Sequence, residues 1–371
     1  MRGQCLVPSM PQDRQGSDTR TGVIIRSPAL TSDAKLSSKS GVGLLEAPRV
    51  FITGGSGFIG TNLVQHFFDN NCVVQNFDSC LPRNPAHANL WIRGDVCDLA
   101  GLSTAVIDFR PDIILHAAAR TDLDGHSPGD YAANTVGVKN MITAARQVPQ
   151  LRRILFFSSM LVCKLGHIPR DETEYCPTTL YGESKATGER LVRDVRTADL
   201  PWVLTRPTSI WGPWFGAPYR NFFEAVRSGW FVLPQGCKSM RSYGYVENLV
   251  AQVDALIGAS PEVVLGRTYY LADYEPLGLA KWANAVGAVW GRPAVRHVPL
   301  ILLRTAAFCG DVAKNLGWTN PPLTSFRLKN ILTSAVFDMS ALARLCPILP
   351  VGVDEGVGLT VKWLRECGNS G

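Results

Sequence analysis

Residues 49 to 60 read Arg-Val-Phe-Ile-Thr-Gly-Gly-Ser-Gly-Phe-Ile-Gly. An apolar run of strand type breaks into closely spaced glycines and resumes as a helix-forming stretch, with Gly54, Gly57 and Gly60 in the pattern G-x-x-G-x-x-G. The first glycine lets the chain turn tightly. A Cβ at the second would hold a phosphate away from the N–H groups of the helix that follows, and the third lets that helix pack close to the strand. A second strand, Val73 to Phe77, ends in Asp78, which lies 18 residues beyond Gly60. That is near the spacing of a carboxylate that binds the ribose hydroxyls of a dinucleotide. The stretch therefore reads as a dinucleotide cradle. An acid at Asp78 favours NAD, because it repels a 2′-phosphate, while Arg83 five residues later leaves NADP open.

The rest of the chain continues the same alternation of strand and helix. Strands are expected at Leu90–Arg93, Ile113–His116, Arg153–Phe157 and Trp202–Thr205. Helices are expected at about Asp98–Phe109, at Pro128–Gln147 (carrying Asn134 and Gly137), and from near Thr178. The fold class expected is α/β: a doubly wound, parallel Rossmann-type sheet with a smaller, mostly helical C-terminal lobe. Residues 48–206 are assigned to the NAD-binding domain, with 244–272 returning to it, and 207–243 and 273–371 to a substrate-binding lobe.

Residues 1–47 are rich in Ser, Thr, Gly, Pro and Arg without periodicity and read as a disordered tail, or as an over-long start to a protein that begins near Val50. They contain neither the apolar centre of a secretory signal nor the acid-poor composition of a transit peptide. No stretch reaches the length of a membrane span, and Val298–Cys309, interrupted by Arg304, reads as a core helix. Ten scattered cysteines include no C-x-x-C and no paired spacing with histidine, so neither a zinc site nor a disulfide framework is expected, and a reduced cytoplasmic setting fits best. The net charge of +6 comes without a basic run, which argues against nucleic acid as a partner.

Tyr181 and Lys185 stand four residues apart and so share one face of a helix. An ammonium beside a phenol favours the phenolate, and on this reading Lys185 brings Tyr181 towards neutral pH. Ser159, at the end of the preceding strand, is placed to hydrogen-bond the same substrate oxygen. Together the three suit hydride transfer at a carbinol.

With these residues in view, the chain from Val50 onward resembles an extended short-chain dehydrogenase/reductase of the NAD-dependent epimerase/dehydratase family. The matching stretches are Thr53–Gly60, Gly94-Asp-Val96, His116-Ala-Ala118, Asn134-Thr-Val-Gly137, Phe157-Ser-Ser159, Tyr181-Gly-Glu-Ser-Lys185 and Arg206-Pro207. The resemblance implies catalysis by Ser159, Tyr181 and Lys185. It implies cofactor contacts from Gly54, Gly57, Phe58, Ile59, Gly60, Asp78, Asp95, Val96, Ala117, Ala118, Asn134, Tyr181, Lys185 and Pro207. It also implies that Ser159 meets the substrate and that Arg241, in Arg241-Ser-Tyr-Gly-Tyr-Val-Glu-Asn-Leu, binds a sugar-nucleotide phosphate.

The function implied is NAD-dependent epimerase or ketoreductase chemistry on a nucleotide-sugar, by a homodimer formed through the helices bearing Asn134 and Tyr181. Met160-Leu161 stands where the family's dehydratases have an Asp-Glu pair, which disfavours dehydration. Cys163 stands where a tyrosine is common and reads as a pocket or packing residue. Val298-Pro-Leu followed by an apolar helix is similar to the hydroxysteroid dehydrogenases of the same family. The alternative is therefore an oxidoreductase acting on a hydrophobic alcohol.

Overall fold

The computed structural model describes residues 47–318 and 321–368. The expected tail lies outside these residues except for Ala47. Strand β1 (Arg49–Thr53) turns through the glycines into α1 (Phe58–Asp69). The chain continues through β2 (Val73–Asp78), β3 (Trp91–Arg93), α2 (Leu99–Phe109), β4 (Ile113–His116), α3 (Ala132–Ala145), β5 (Arg153–Phe157), α4 (Leu180–Arg193) and β6 (Trp202–Pro207). A later strand, β7 (Thr268–Leu271), pairs parallel with β6. The seven strands form one parallel sheet in the order β7-β6-β5-β4-β1-β2-β3.

Helices cover both faces of that sheet, and the strand sequences show why. Val50 and Ile52 of β1 belong to one apolar cluster, with Leu155, Val203 and the helix Val246–Gly258, whereas Phe51 belongs to a second, with Ile114, Ile154, α2 and α3. Alternate residues of each strand thus enter opposite cores, and the central strands read as continuous apolar runs because neither face meets water. A third cluster beyond the sheet is aromatic. Trp211, Phe223, Tyr243, Tyr245 and Trp282 pack there with Val357 and Val361 of the helix Val353–Gly368.

Because all the strands run the same way, their C-terminal ends lie along one edge. The order reverses between β1 and β4, whose chain neighbours leave in opposite directions, and a ligand crevice opens at such a switch point.

Two expectations are corrected. The single helix from Pro128 to Gln147 is a 3₁₀ turn, Pro128–Tyr131, closed by reciprocal Ser127 and Asp130 capping, followed by α3. The core helix expected at Val298–Cys309 is the helix Leu300–Asn315, and it is not a core helix. Only Leu303, Ala307 and Gly310 face inward, against the helix Ser325–Leu332, whereas Ile301, Phe308 and Val312 form an exposed apolar stripe. Among the described residues no helix is long and apolar enough to cross a membrane.

Candidate active site

Gly54 takes a left-handed φ of +73°, and a Cβ on it would lie 2.6 Å from Ala118 N and 2.7 Å from Ala117 C. A Cβ on Gly60 would run into the Gly54 carbonyl. The turn can therefore form only with glycine at both positions, pressed against the small residues at the end of β4. Gly57 is the N-cap of α1 and provides no side-chain cap, and the first turn of α1, with Phe58 and Ile59, carries no acid. The donors at that helix end are left for an anion. Ala117 N donates to Thr53 O at 3.1 Å and Ala118 N to Thr53 Oγ1 at 3.3 Å, which fixes this wall of the crevice.

Asp78, at the end of β2, braces the cradle. Its Oδ2 accepts from Ser56 N at 3.0 Å and its Oδ1 from Cys80 N at 2.9 Å. Burial lifts its carboxyl above the ordinary value, against the pull of those N–H groups. Arg83 is directed elsewhere, with Nη1 donating to the Trp214 carbonyl at 2.5 Å. Asp95 is exposed and its Oδ1 accepts from Cys97 N at 2.9 Å, while Val96 is buried next to Gly137. Asn134 holds the loop after β4: its amide donates to Arg120 O at 2.9 Å and its carbonyl accepts from Arg120 N at 2.9 Å. It also donates to Ser184 Oγ at 2.9 Å, so its reach to a ligand is through that loop. Pro207 is buried at the end of β6.

Ser159 and Tyr181 come together. Both are buried, at 7% exposure each, and the Ser159 hydroxyl is near enough to the Tyr181 phenol to pull its pKa down against burial. Ser159 Oγ also caps the short turn that follows, accepting from Leu161 N at 3.1 Å. The Tyr131 ring stands 6.2 Å from that of Tyr181. Lys185 lies one helical turn further on, buried, with Nζ donating to the Phe157 carbonyl at 2.8 Å. Ser158, beside it, keeps a buried hydroxyl with no partner among the described residues.

The electrostatics differ from the expectation that Lys185 lowers Tyr181. Burial raises the Tyr181 hydroxyl above its ordinary value, with the Ser159 hydroxyl working against it and Tyr131 adding to it. Burial also lowers the Lys185 ammonium to about 8, with Glu189 opposing. Sharing a helix face brought the two into one site, but the ammonium points to a backbone carbonyl, and desolvation acts on both. His116 below them is held neutral by burial and then by Lys185, at about 3, with Nδ1 2.9 Å from Thr53 Oγ1.

Sequence reasoning missed Glu189. It continues the four-residue series Tyr181, Lys185, Glu189 along α4, and that spacing was the available signal. With both side chains fully buried, Glu189 clamps Arg206 through Nε–Oε1 at 2.8 Å and Nη2–Oε2 at 2.7 Å. Burial opposes the Arg206 charge, yet the clamp holds its pKa above the ordinary value. Arg241 is not among these residues. Its guanidinium donates to the backbone carbonyls of Thr333, at 3.1 Å, and of Asn330.

The sequence pattern of the NAD dependent epimerase/dehydratase family matches residues 50–272. The chain is 32% identical over 282 residues to a 3 beta-hydroxysteroid dehydrogenase/Delta 5-->4-isomerase of Mycobacterium tuberculosis, covering 68% of this chain and 75% of that one. It is 27% identical to dTDP-glucose 4,6-dehydratase of Neisseria meningitidis, covering 75% and 90%. The solved structure of the Thermus thermophilus UDP-glucose 4-epimerase in complex with NAD superposes with a TM-score of 0.63 at 22% identity, covering 85% and 99%.

Proposed function

Since the chain belongs to the NAD-dependent epimerase/dehydratase family, we propose that it is an NAD-dependent oxidoreductase acting at a secondary alcohol, or its ketone, on a hydrophobic, steroid-like substrate. The observation that carries the chemistry is the burial of Ser159 and Tyr181 side by side at the sheet edge, one helical turn from a buried Lys185. The cradle fits the cofactor, because Gly54 and Gly60 admit no Cβ and the α1 N-terminus carries neither a cap nor an acid. NAD supplies the hydride acceptor or donor when bound.

The chain's own groups do the rest. A tyrosine raised above its ordinary pKa keeps its proton at neutral pH, so Tyr181 acts as a general acid towards a substrate carbonyl and takes the proton back in the reverse direction. Ser159 gives a second hydrogen bond to the same oxygen. Lys185 uses one N–H on Phe157 and has two more for a ribose. Asp78 receives the adenosine ribose.

For the substrate, the sequence reading put a nucleotide-sugar first, and two observations support reversing that order. Arg241, the residue assigned to a sugar-nucleotide phosphate, turns two of its five N–H donors to the backbone carbonyls of Thr333 and Asn330. Met160 and Leu161 follow Ser159 where a dehydratase would have acids. The 32% identity to a hydroxysteroid dehydrogenase agrees. The test is turnover by the full chain, read as NADH formation with 3-hydroxysteroids and as NADH formation or a changed sugar product with UDP- and dTDP-sugars, because an epimerase returns its hydride and forms no net NADH. Turnover of the steroids alone is expected, whereas turnover of the nucleotide-sugars alone would overturn the substrate assignment and leave the hydride chemistry in place.

A further inference from the structure

Three side chains that this chemistry does not use lie together beside the site. The sulfurs of Cys163 and Cys176 and one ring nitrogen of His167 are all within 4.8 Å of one another. Cys163 and Cys176 face each other across an isolated parallel bridge, with Cys176 N donating to Val162 O at 3.0 Å and Lys164 N to Cys176 O at 2.9 Å. The turn after Cys163 brings the histidine back, its N–H donating to Lys164 O at 3.0 Å. The sequence spacing, Cys-x3-His-x8-Cys, has no adjacent ligand pair, so only the bridge reveals the group.

We propose that Cys163, His167 and Cys176 bind a divalent cation of the zinc class, with water completing a tetrahedron. Zn–S bonds of about 2.3 Å and a Zn–N bond of about 2.0–2.1 Å set tetrahedral donors about 3.4–3.8 Å apart. Closing from separations of at most 4.8 Å takes shifts of roughly 1 Å. Mixed thiolate and imidazole donors select such a metal over magnesium or calcium.

A second observation points the same way. His167 Nε2 lies 3.1 Å from Glu174 Oε1, the carboxylate–imidazole pair that commonly stands behind a metal-bound histidine. An Nε2–H donated to Glu174 leaves Nδ1 as the bare donor. Glu174 is itself held, accepting from Arg170 N at 2.6 Å and Arg170 Nε at 3.3 Å.

Binding displaces one proton from each thiol to solvent, and two thiolates then balance the metal's charge, which suits the burial of Cys163 at 2% exposure. The consequence is positional. The segment from Cys163 to Cys176 carries Glu172, whose carbonyl accepts from Arg206 at 2.7 Å and from Arg193 at 3.0 Å. It then leads to Thr179, the N-cap of α4. A metal pins this loop between Ser159 and Tyr181.

The test is metal content by mass spectrometry of the full chain purified under reducing conditions without chelator, with cobalt titration after the metal is stripped. About one zinc per chain and a thiolate-to-cobalt charge-transfer band are expected. Cys176→Ala and His167→Ala, both at partly exposed positions, should abolish the band, Glu174→Gln should weaken affinity roughly 10- to 100-fold, and Cys309→Ser should leave it unchanged. A wild-type chain that binds no zinc or cobalt would overturn the proposal. So would one that binds equally with Cys176 or His167 removed, or an active chain carrying a Cys163–Cys176 disulfide. NAD affinity, measured in the same samples, reports on the cradle separately.

Discussion

Tyr181 and Lys185 show what a spacing can and cannot say about a residue. Four positions on a helix place both in one site, but the pKa values follow burial, which the sequence does not carry. Lys185 at about 8 in the folded chain, against its ordinary 10.5, means that the unfolded chain holds more protons between those values. Its contribution to stability therefore rises with pH across that window and is unfavourable below it. His116, at about 3 against 6.5, contributes stability that is present above pH 6.5 and is lost as pH falls towards 3. Denaturant unfolding of the wild type and of His116→Asn from pH 7 to 4 checks this, and the variant should lose less stability on acidification. The Arg206–Glu189 clamp was invisible in the same way, because Arg206-Pro207 was read as a strand end. Removing Glu189 strands a buried guanidinium, so Glu189→Ala should cost about 3–5 kcal/mol in chemical denaturation.

Among elements, the strands and helices up to β6 were legible, apart from the break at Pro128–Tyr131, because the strands next to the switch point are apolar runs and helix-forming stretches separate them. Asp98 and Thr179 mark helix starts as ordinary N-caps, accepting from Ala100 N and Gly182 N. The strand β7 lies in the stretch 244–272 expected to return to the NAD-binding domain, and it pairs with β6 from more than 60 residues away, although nothing within it names that partner strand. The helix Leu300–Asn315 misled for a physical reason: it is apolar on both faces, so composition cannot tell the face that packs from the face that does not. Phe308 is 66% exposed on the outer face. Phe308→Glu should therefore leave the melting temperature within about 2 °C of wild type, as surface substitutions usually change stability by less than about 0.5 kcal/mol. A large loss would mean that this face is covered.

At the scale of the whole molecule, the parallel order of seven strands brings Gly54, Asp78, Ala117, Ser159 and Pro207 to one edge, and the helix that follows β5 brings Tyr181 and Lys185 to meet them. The glycine turn and the nearness of Ser159, Tyr181 and Lys185 were readable because they rest on short stretches at a strand end and along one helix face. The substrate was not, because the residues after Pro207 that would surround it come from several separate segments, and Arg241 turns two of its donors to backbone carbonyls that only the fold brings near. The account stands on one proton passing through one hydroxyl. Its most direct test is the rate of NADH formation by Tyr181→Phe on the substrate the wild type turns over, with NAD affinity measured alongside. The rate should fall by roughly 10²–10⁴-fold while NAD binding stays nearly intact, because the ring and its packing remain and only the acid–base group is gone. Wild-type turnover by Tyr181→Phe would show that the proton moves through another group, and would contradict the site described for this chain.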